Sequence, residues 1–383
     1  MTNSVPNIRH LAAFAATVRH GSVTRAARAV NLTQPALTQA ISGLEAALGT
    51  SLFTRSAAGM APSQPALLLA PRVEAALGHI GSSRVTGTQV KAFVAVARAG
   101  SYAGAGEASE LSAASLHRAV ADLSVALGQR LIERRGRSIF LTVAGERRLR
   151  GFGLALAELR AGLAEVAAWQ GQAAGKVVIG AMPLSRARWL PEAILRFAAL
   201  HPGTDLVVIE GSHAELAGPL RSGEIDLMVG ALRDGAEDAD LAQEPVFVDH
   251  PKIVMRCGHP ALASPEGRGT LLDYPWILPG RETPLRRYWE DMIAALGAEP
   301  PHVGIECGSV MTIRQLLLGS DALTLLSSDQ VAVEVAAGLL ALVEPPVAVQ
   351  RTIGITVRAG WRPTTVQADF IALLHECGAS QAE

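Results

Sequence analysis

The sequence predicts a multidomain α/β protein: two tandem three-helix-and-wing domains, a single linker helix, and a larger domain of alternating strands and helices. Three observations predict it. At 383 residues the chain is too long for one ordinary domain. Its charge is divided, with 17 Lys and Arg against 7 Asp and Glu in residues 1–150, and 17 against 28 in residues 151–383, behind a net charge of −1. The basic part also repeats itself, whereas from Gly175 onward the apolar pattern changes to short strand-like runs.

Composition narrows the function classes. Apolar residues make up 49% and charged residues 18%, so packed cores are expected and global disorder is not. No uncharged apolar run reaches the ~18 residues of a membrane span. The opening Met-Thr-Asn-Ser-Val-Pro-Asn has no basic stretch followed by an apolar run, so a cytoplasmic protein without a secretory signal is expected. Cys257, Cys307 and Cys377 lie far apart, and the ten histidines form no HxxxH or HxH pair, so no disulfide framework, metal site or cofactor is expected. A basic part joined to an acidic part is the charge footprint of a nucleic-acid binder. On charge alone, arginines that merely solvate helices remain an alternative.

The repeat has an offset of 79. Between Phe14 and Arg55, 16 of 42 positions recur without a gap, including Gly21-Ser22 as Gly100-Ser101, Leu48-Gly49 as Leu127-Gly128, and Arg55 as Arg134. In the first copy Ile8, Leu11, Phe14 and Val18 share one helical stripe. Gly21-Ser22 ends that helix and starts a second, to about Val30. Asn31-Leu32 turns the chain, Thr33 caps a third helix with Pro35 in its first turn, Leu37, Ile41, Leu44 and Leu48 form its core stripe, and Gly49 stops it. Two short helices joined by a tight turn make a helix-turn-helix. The outer face of the second helix carries Gln34, Thr38, Gln39 and Ser42, whose amides and hydroxyls suit base edges in a major groove.

The run from Gly21 to Ile41, followed by Leu44-Glu45, Leu48-Gly49 and Leu52-Phe53-Thr-Arg55, resembles the LysR-type transcriptional regulators. The resemblance implies winged helix-turn-helix domains that bind double-stranded DNA, a homodimer or tetramer, and contact with RNA polymerase; members normally carry one such domain, and this chain has two. The first copy keeps Thr33, Gln34, Pro35 and Ala36 but has lost the Leu-Thr-x-Ala-Gly element after its wing. The second keeps that element as Leu141 to Gly145, has Arg130, Arg134, Arg135 and Arg137 in its wing, and shows Ser112, Ser115, His117 and Arg118 on its third helix. Gly104 and Gly106 in its second helix each cost about 1 kcal/mol relative to Ala. The second copy therefore looks suited to phosphates and the first to base readout. That one copy is a remnant without DNA contact stays open.

Leu149, Phe152, Leu156, Leu159, Leu163 and Val166 recur at spacings of 3 and 4, a heptad stripe that can pair helices, the alternative being a helix packed on its own domain. In the family such a linker helix joins two chains, and the first copy, with only the shorter stripe Leu69, Val73, Leu77 and Ile80, is expected to be carried outward on a short linker. The resulting dimer would hold up to four readers on a long operator. The domains so read are residues 6–82 and 85–145 for the two copies and 146–171 for the dimerising helix.

Residues 175–378 resemble the family's effector-binding domain, a two-lobed type 2 periplasmic-binding-protein-like α/β fold, through His201-Pro202, Leu220 to Asp226 and Gly258-His259-Pro260. Lobe I is read as 175–254 with 353–378, and lobe II as 255–350. Val177 to Gly180, Asp205 to Ile209 and Asp226 to Gly230 read as buried parallel strands, and the strands around Pro275, Gly304 and Ala322 as a second unit of that kind. A small-molecule effector is expected at loops following strands, near helix N-termini. The candidates are Met182, Leu184, Ser185, Ser212, His213, Gly230, Ser309 and Met311. Ser212 and Ser309 also read as plain N-caps, and His213 equally as a solvated loop residue. The runs Gly180 to Ser185 and Val229 to Arg233 look similar to the galactose-binding-protein regulator subgroup, which hints at a sugar or a catabolic small acid. No catalytic constellation is visible, so an enzyme is not expected. The expected function is a DNA-binding regulator answering a small-molecule effector; the alternative is a ligand-sensing regulator acting mainly through protein contacts.

Overall fold

The structure, a computed structural model, describes residues 6–56, 59–108, 111–135, 138–172, 175–233, 238–263 and 270–380. The first repeat comprises helices α1 (Ile8–His20), α2 (Val23–Ala29) and α3 (Gln34–Leu48), a hairpin of β1 (Phe53–Ser56) and β2 (Gly59–Pro62), and helix α4 (Gln64–Ile80). The second copies it as α5 (Gly87–Ala99), α6 (Tyr102–Glu107), α7 (Ala113–Leu127), β3 (Ile132–Arg135), β4 (Ser138–Leu141) and the 27-residue α8 (Val143–Trp169).

Helix ends follow the local chemistry. Gly21, Gly49, Gly100 and Gly128 all close helices in the left-handed conformation, which glycine adopts without a Cβ penalty. Thr33 Oγ1 accepts from the Ala36 amide at 3.4 Å, starting α3. Ser22 sits at the N-cap of α2 without a side-chain cap bond, whereas its counterpart Ser101 accepts from the Gly104 amide at 3.0 Å. Each hairpin is pinned to the end of its unit's first helix: Met60 N donates to Gly21 O at 3.1 Å, and Ile139 N to Gly100 O at 3.0 Å.

The expectation that the first copy is carried outward fails. Its last helix, α4, packs antiparallel along α8, and one hydrophobic core runs through both copies and both helices. The direction is fixed by contacts at both ends: Arg148, early in α8, donates to the carbonyl of Ile80 at the end of α4, while Gly162, late in α8, faces Leu69 and Arg72. The stripe read as a seam between chains thus has a partner inside the chain, with Phe152, Leu159 and Val166 buried. Its helix begins at Val143 rather than 146. The sequence concealed this because an apolar stripe does not specify whether its partner lies in the same chain.

Glycines set the helix separation. A Cβ on Gly151 would lie 2.9 Å from the His79 carbonyl, and one on Gly162 would lie 2.9 Å from Leu69 Cδ1 and 3.0 Å from Arg72 Cβ. Arg72, 4% exposed, spans the pair, reaching Glu165 at 2.7 Å, Glu158 at 3.2 Å and the Arg362 carbonyl at 2.9 Å. Burial by itself lowers its pKa, but the bonds and charges of Glu165 and Glu158 prevail and leave it raised.

Beyond α8 the chain forms β5 (Lys176–Ala181), α9 (Trp189–Leu200), β6 (Asp205–Glu210), α10 (His213–Arg221), β7 (Leu227–Ala231), β8 (Leu241–Asp249), β9 (Lys252–Arg256), β10 (Ile277–Leu278), α11 (Pro284–Ala295), β11 (Ile305–Glu306), α12 (Val310–Leu318), β12 (Thr324–Leu326), α13 (Ala332–Ala336), β13 (Leu340–Val343), β14 (Arg351–Arg358) and α14 (Thr365–Ala379). A five-stranded sheet has the order β6-β5-β7-β14-β8, and a three-stranded sheet the order β12-β9-β13. β5 runs parallel to β6 and β7, whereas β14 is antiparallel to β7 and β8. The second unit is not a repeat of the first: β9 pairs antiparallel with β12 and β13, while β10 pairs parallel with β11 and Trp276 bridges Leu323 in the parallel sense. Because β9 belongs to this second sheet, the division falls at His250-Pro251 rather than after 254. β6 is an edge strand with Val208 39% exposed, so its apolar run does not reflect burial on both faces.

The tight helix pair yields an expectation. Gly162→Val should destabilise the α4–α8 unit by about 1–3 kcal/mol through overpacking. Gly78→Ala, on the open face of α4 with nothing within 4 Å of a new Cβ, should gain up to about 1 kcal/mol of helix propensity. Urea titrations of both variants check this, and equal effects would show that the glycines do not set the spacing.

Candidate nucleic-acid interface and effector cleft

The third helix of each repeat lies with its apolar stripe inward, Leu37, Ile41 and Leu44 in α3 and Leu116, Val120 and Leu123 in α7. This leaves the opposite face free. Thr33, Gln34, Pro35, Thr38, Gln39 and Ser42 are all exposed, as are Ser112, Ser115, His117 and Arg118. Gln34 Nε2 donates to Thr24 Oγ1 at 3.1 Å, bracing it against α2, and Thr38 Oγ1 donates to the Gln34 carbonyl at 3.0 Å. In α7 the ring of His117 lies 5.0 Å from that of Tyr102, and the Ser112 and Ser115 hydroxyls are 2.9 Å apart. Arg55, Arg134 and Arg135 lie on hairpin strands, where only the backbone is described, and Arg137 lies outside the described residues.

The expected effector residues divide. Met182 and Leu184 fill two hydrophobic cores, and Ser185, 0% exposed, donates to the Met182 carbonyl at 2.8 Å. Gly230 accommodates Met182, whose Cε would lie 2.5 Å from a Cβ there. These four pack the strand ends against the sheet core rather than present surface. Sequence could not separate them, because a loop that follows a buried strand and then turns back beneath it has the same composition as one that lines a cleft.

Ser212, Ser309 and Met311 are exposed and His213 half-buried. Ser212 and Glu215 form a capping box on α10, and Ser309 Oγ accepts from the Thr312 amide at 3.4 Å to cap α12. Among the described hydrogen bonds and ion pairs, none joins Ser212 or His213 to Ser309 or Met311. Across the two sheet units, Arg188 approaches Asp329 at 3.8 Å.

Sequence reading missed the partners of His213. Its Nε2 lies 3.2 Å from Asp238, which also holds Arg221 at 2.8 Å, and Asp240 holds the same arginine at 3.0 Å. Burial, then the charge of Arg233, push the His213 pKa below its ordinary value against the pull of Asp238. The ring is therefore neutral near pH 7 and donates Nε2–H to the carboxylate.

A second region emerges where the helix pair meets the five-stranded sheet. Arg160 donates to the Gly223 carbonyl at 3.3 Å and lies 3.5 Å from Asp226, whose carboxylate accepts from the Val178 amide at 2.9 Å. A Cβ on Gly153 would collide with the Ser222 carbonyl, and one on Gly223 would lie 2.9 Å from Ala157. Between these surfaces is a cavity of about 410 Å³ lined by Arg72, Glu158, Arg160, Asp226, Arg358 and Trp361.

Two outcomes follow from this geometry. Gln34→Ala with Thr38→Ala should abolish sequence preference, while Arg134→Ala with Arg135→Ala should weaken all DNA sequences alike and flatten the log–log salt slope by about 0.9 per lost phosphate contact. Binding isotherms on specific and scrambled duplexes separate the two, and unchanged selectivity in the first variant would remove α3 as the reader. For His213, the unfolded ring takes up a proton near its ordinary value of 6.5 and the folded ring only below that. Stability should thus fall as pH drops through about 6.5, and His213→Gln should remove part of that slope in urea titrations at a series of pH values.

Comparison with known proteins agrees with this arrangement. The profile described as the LysR substrate binding domain matches residues 170–378, and that described as the bacterial regulatory helix-turn-helix protein, lysR family, matches twice, at 8–66 and 88–146. The chain is 32% identical to the HTH-type transcriptional regulator GalR of Pseudomonas putida over 99% of both chains, so both repeats fall inside that alignment. It is 32% identical to the HTH-type transcriptional regulator PcaQ of Agrobacterium fabrum over 73% of this chain and 91% of that one. Among solved structures, full-length OxyR from Pseudomonas aeruginosa matches 76% of this chain and 93% of its own with a TM-score of 0.57 and 24% identity, a likeness of fold. The chain belongs to the LysR-type transcriptional regulators, with an N-terminal helix-turn-helix and a C-terminal effector-binding domain.

Proposed function

We propose that both repeats are winged helix-turn-helix DNA readers, that α3 supplies base readout through Gln34, Thr38 and Gln39, and that the wing of the second repeat supplies phosphate contacts. The observation that carries this reading is the pair of exposed polar third-helix faces, each on a three-helix unit matched by the same helix-turn-helix profile. The difference between the faces, amide-rich in α3 and serine-rich with His117 and Arg118 in α7, supports unequal roles.

The effector is a small molecule held between the two sheet units, which act as lobes, with Ser212, His213 and Ser309 at its edges. Exposed caps at the starts of α10 and α12 set hydroxyls at two helix N-termini, an arrangement that suits a carboxylate or a sugar hydroxyl. Met182, Leu184, Ser185 and Gly230 shape the floor from within. Ligand binding shifts a population between two arrangements of the lobes, and the contacts of Gly223 and Asp226 with α8 carry that shift to the readers. The protein acts as a regulator and not as an enzyme, in keeping with relatives named as transcriptional regulators. RNA polymerase and a second copy of the chain are its protein partners.

Fluorescence anisotropy on DNA from upstream of the protein's own gene tests the first part. Specific binding whose affinity falls steeply and linearly on a log–log salt plot is expected; no preference over scrambled DNA would favour a regulator working through protein contacts. Thermal-shift screening with small organic acids and sugars tests the second, with Ser309→Ala and Ser212→Ala reducing the shift of any ligand found. A shift insensitive to both would move the effector elsewhere.

A further inference from the structure

The repeat offset of 79 carries α4 onto the first 17 residues of α8, so the helices that pair are equivalents of each other. They also pair through equivalent positions: Arg72 of α4 meets Glu158 of α8, and their counterparts, Gly151 of α8 and His79 of α4, meet each other. Two equivalent helices packed antiparallel through equivalent positions are related by a twofold axis perpendicular to both. The axis passes near Glu74–Ala76 on α4 and Gly153–Ala155 on α8, between the His79–Gly151 contact and the mirrored Arg72–Glu158 ion pair.

Each reader is fixed to its helix in the same way. The hairpin enters α4 through Ser63 and α8 through Thr142, and the first helix of each unit lies against its own last helix, with Phe93 packed on Phe152 at 5.9 Å in the second. The twofold therefore carries the first unit onto the second and α3 onto α7. The ten residues by which α8 outruns its counterpart carry the chain back to the first reader: Gln170, the C-cap that follows them, donates to the Leu48 carbonyl at the end of α3 at 3.0 Å.

We infer that a single chain is a complete pseudo-dimer for DNA reading: α4 and α8 make within one molecule the helix pairing that the family resemblance assigns to two, and one chain engages both half-sites of an inverted repeat. Operator symmetry mirrors protein symmetry, and here the symmetry is imperfect. Gln34, Thr38 and Gln39 on one side face Ser115, His117 and Arg118 on the other, so the two half-sites differ in sequence. A second copy of the chain finds Phe152, Leu159 and Val166 of the α8 stripe already buried and associates through other surfaces. This inference rests on the proposal that both repeats read DNA, and its test separates the two.

Two measurements decide it. Hydrogen exchange of the full chain is followed over a wide dilution series in the absence of DNA. Protection of α4 and α8 that is independent of concentration is expected; joint loss of protection on dilution would show pairing between chains and overturn the inference. Native mass spectrometry is then combined with footprinting on duplexes selected from a random pool with the full chain. One chain per duplex with two unequal protected patches about one helical turn apart is expected. A minimum of two chains for two patches, or one chain on a single patch, would overturn it. Should no duplex be selected, the DNA-reading proposal falls and with it the operator claim, while exchange still decides the pairing.

Discussion

Close approach of α4 and α8 is the constraint on which the rest of the molecule depends. It needs small residues at Gly151 and Gly162, because any side chain there meets a carbonyl or a neighbouring stem at about 3 Å. The approach brings Glu158 and Glu165 onto Arg72, and a guanidinium so buried is costly unless its donors are satisfied. Two carboxylates and the Arg362 carbonyl satisfy them. That last bond is informative, since it ties the helix pair to the segment leading into α14 and so to the five-stranded sheet. One residue thus joins both repeats and the C-terminal domain, and substitution by any side chain without a planar fork would leave at least one carboxylate unmatched.

The same contacts connect the proposed effector site with the proposed readers. β7 ends at the floor of the proposed effector site, and the turn that precedes it, Ser222 to Asp226, lies on α8 through Gly153, Ala157 and Arg160. Under the proposed function, a rearrangement of that turn would be passed to α8 and, through Arg72, to α4. Backbone-to-backbone proximity at Gly153 and Gly223 leaves little slack, which favours movement of rigid elements over local adjustment.

Much of this was legible in the sequence, for identifiable reasons. Helix ends at Gly21, Gly49, Gly100 and Gly128 and the cap at Thr33 are local decisions, made by φ preference and one side-chain bond. The repeat was legible because glycine and apolar positions kept register. Strands β5 and β7 follow from runs whose burial is nearly uniform, and helices α9 and α14 from apolar residues at helical spacing. What was illegible is non-local. A stripe on α8 reads the same whether covered by another chain or by the core of its own chain. Arg72, a single arginine within an apolar helix, acquires its role only when Glu158 and Glu165 arrive 86 and 93 residues later. Strands β8, β9 and β13 are defined by sheet partners rather than pattern, and Met182, Leu184 and Ser185 resembled ligand contacts because the chain after β5 folds back under its own strand.

The most direct test of the account is affinity cleavage by the full-length protein, with a hydroxyl-radical-generating iron chelate attached in turn to a cysteine at Gln34 and at Ser115 in a background free of the three native cysteines. The account predicts cuts from both positions on one face of the same operator, centred about one helical turn apart and present at one chain per duplex. Cuts from one position alone, or from both only when two chains are bound, would contradict it.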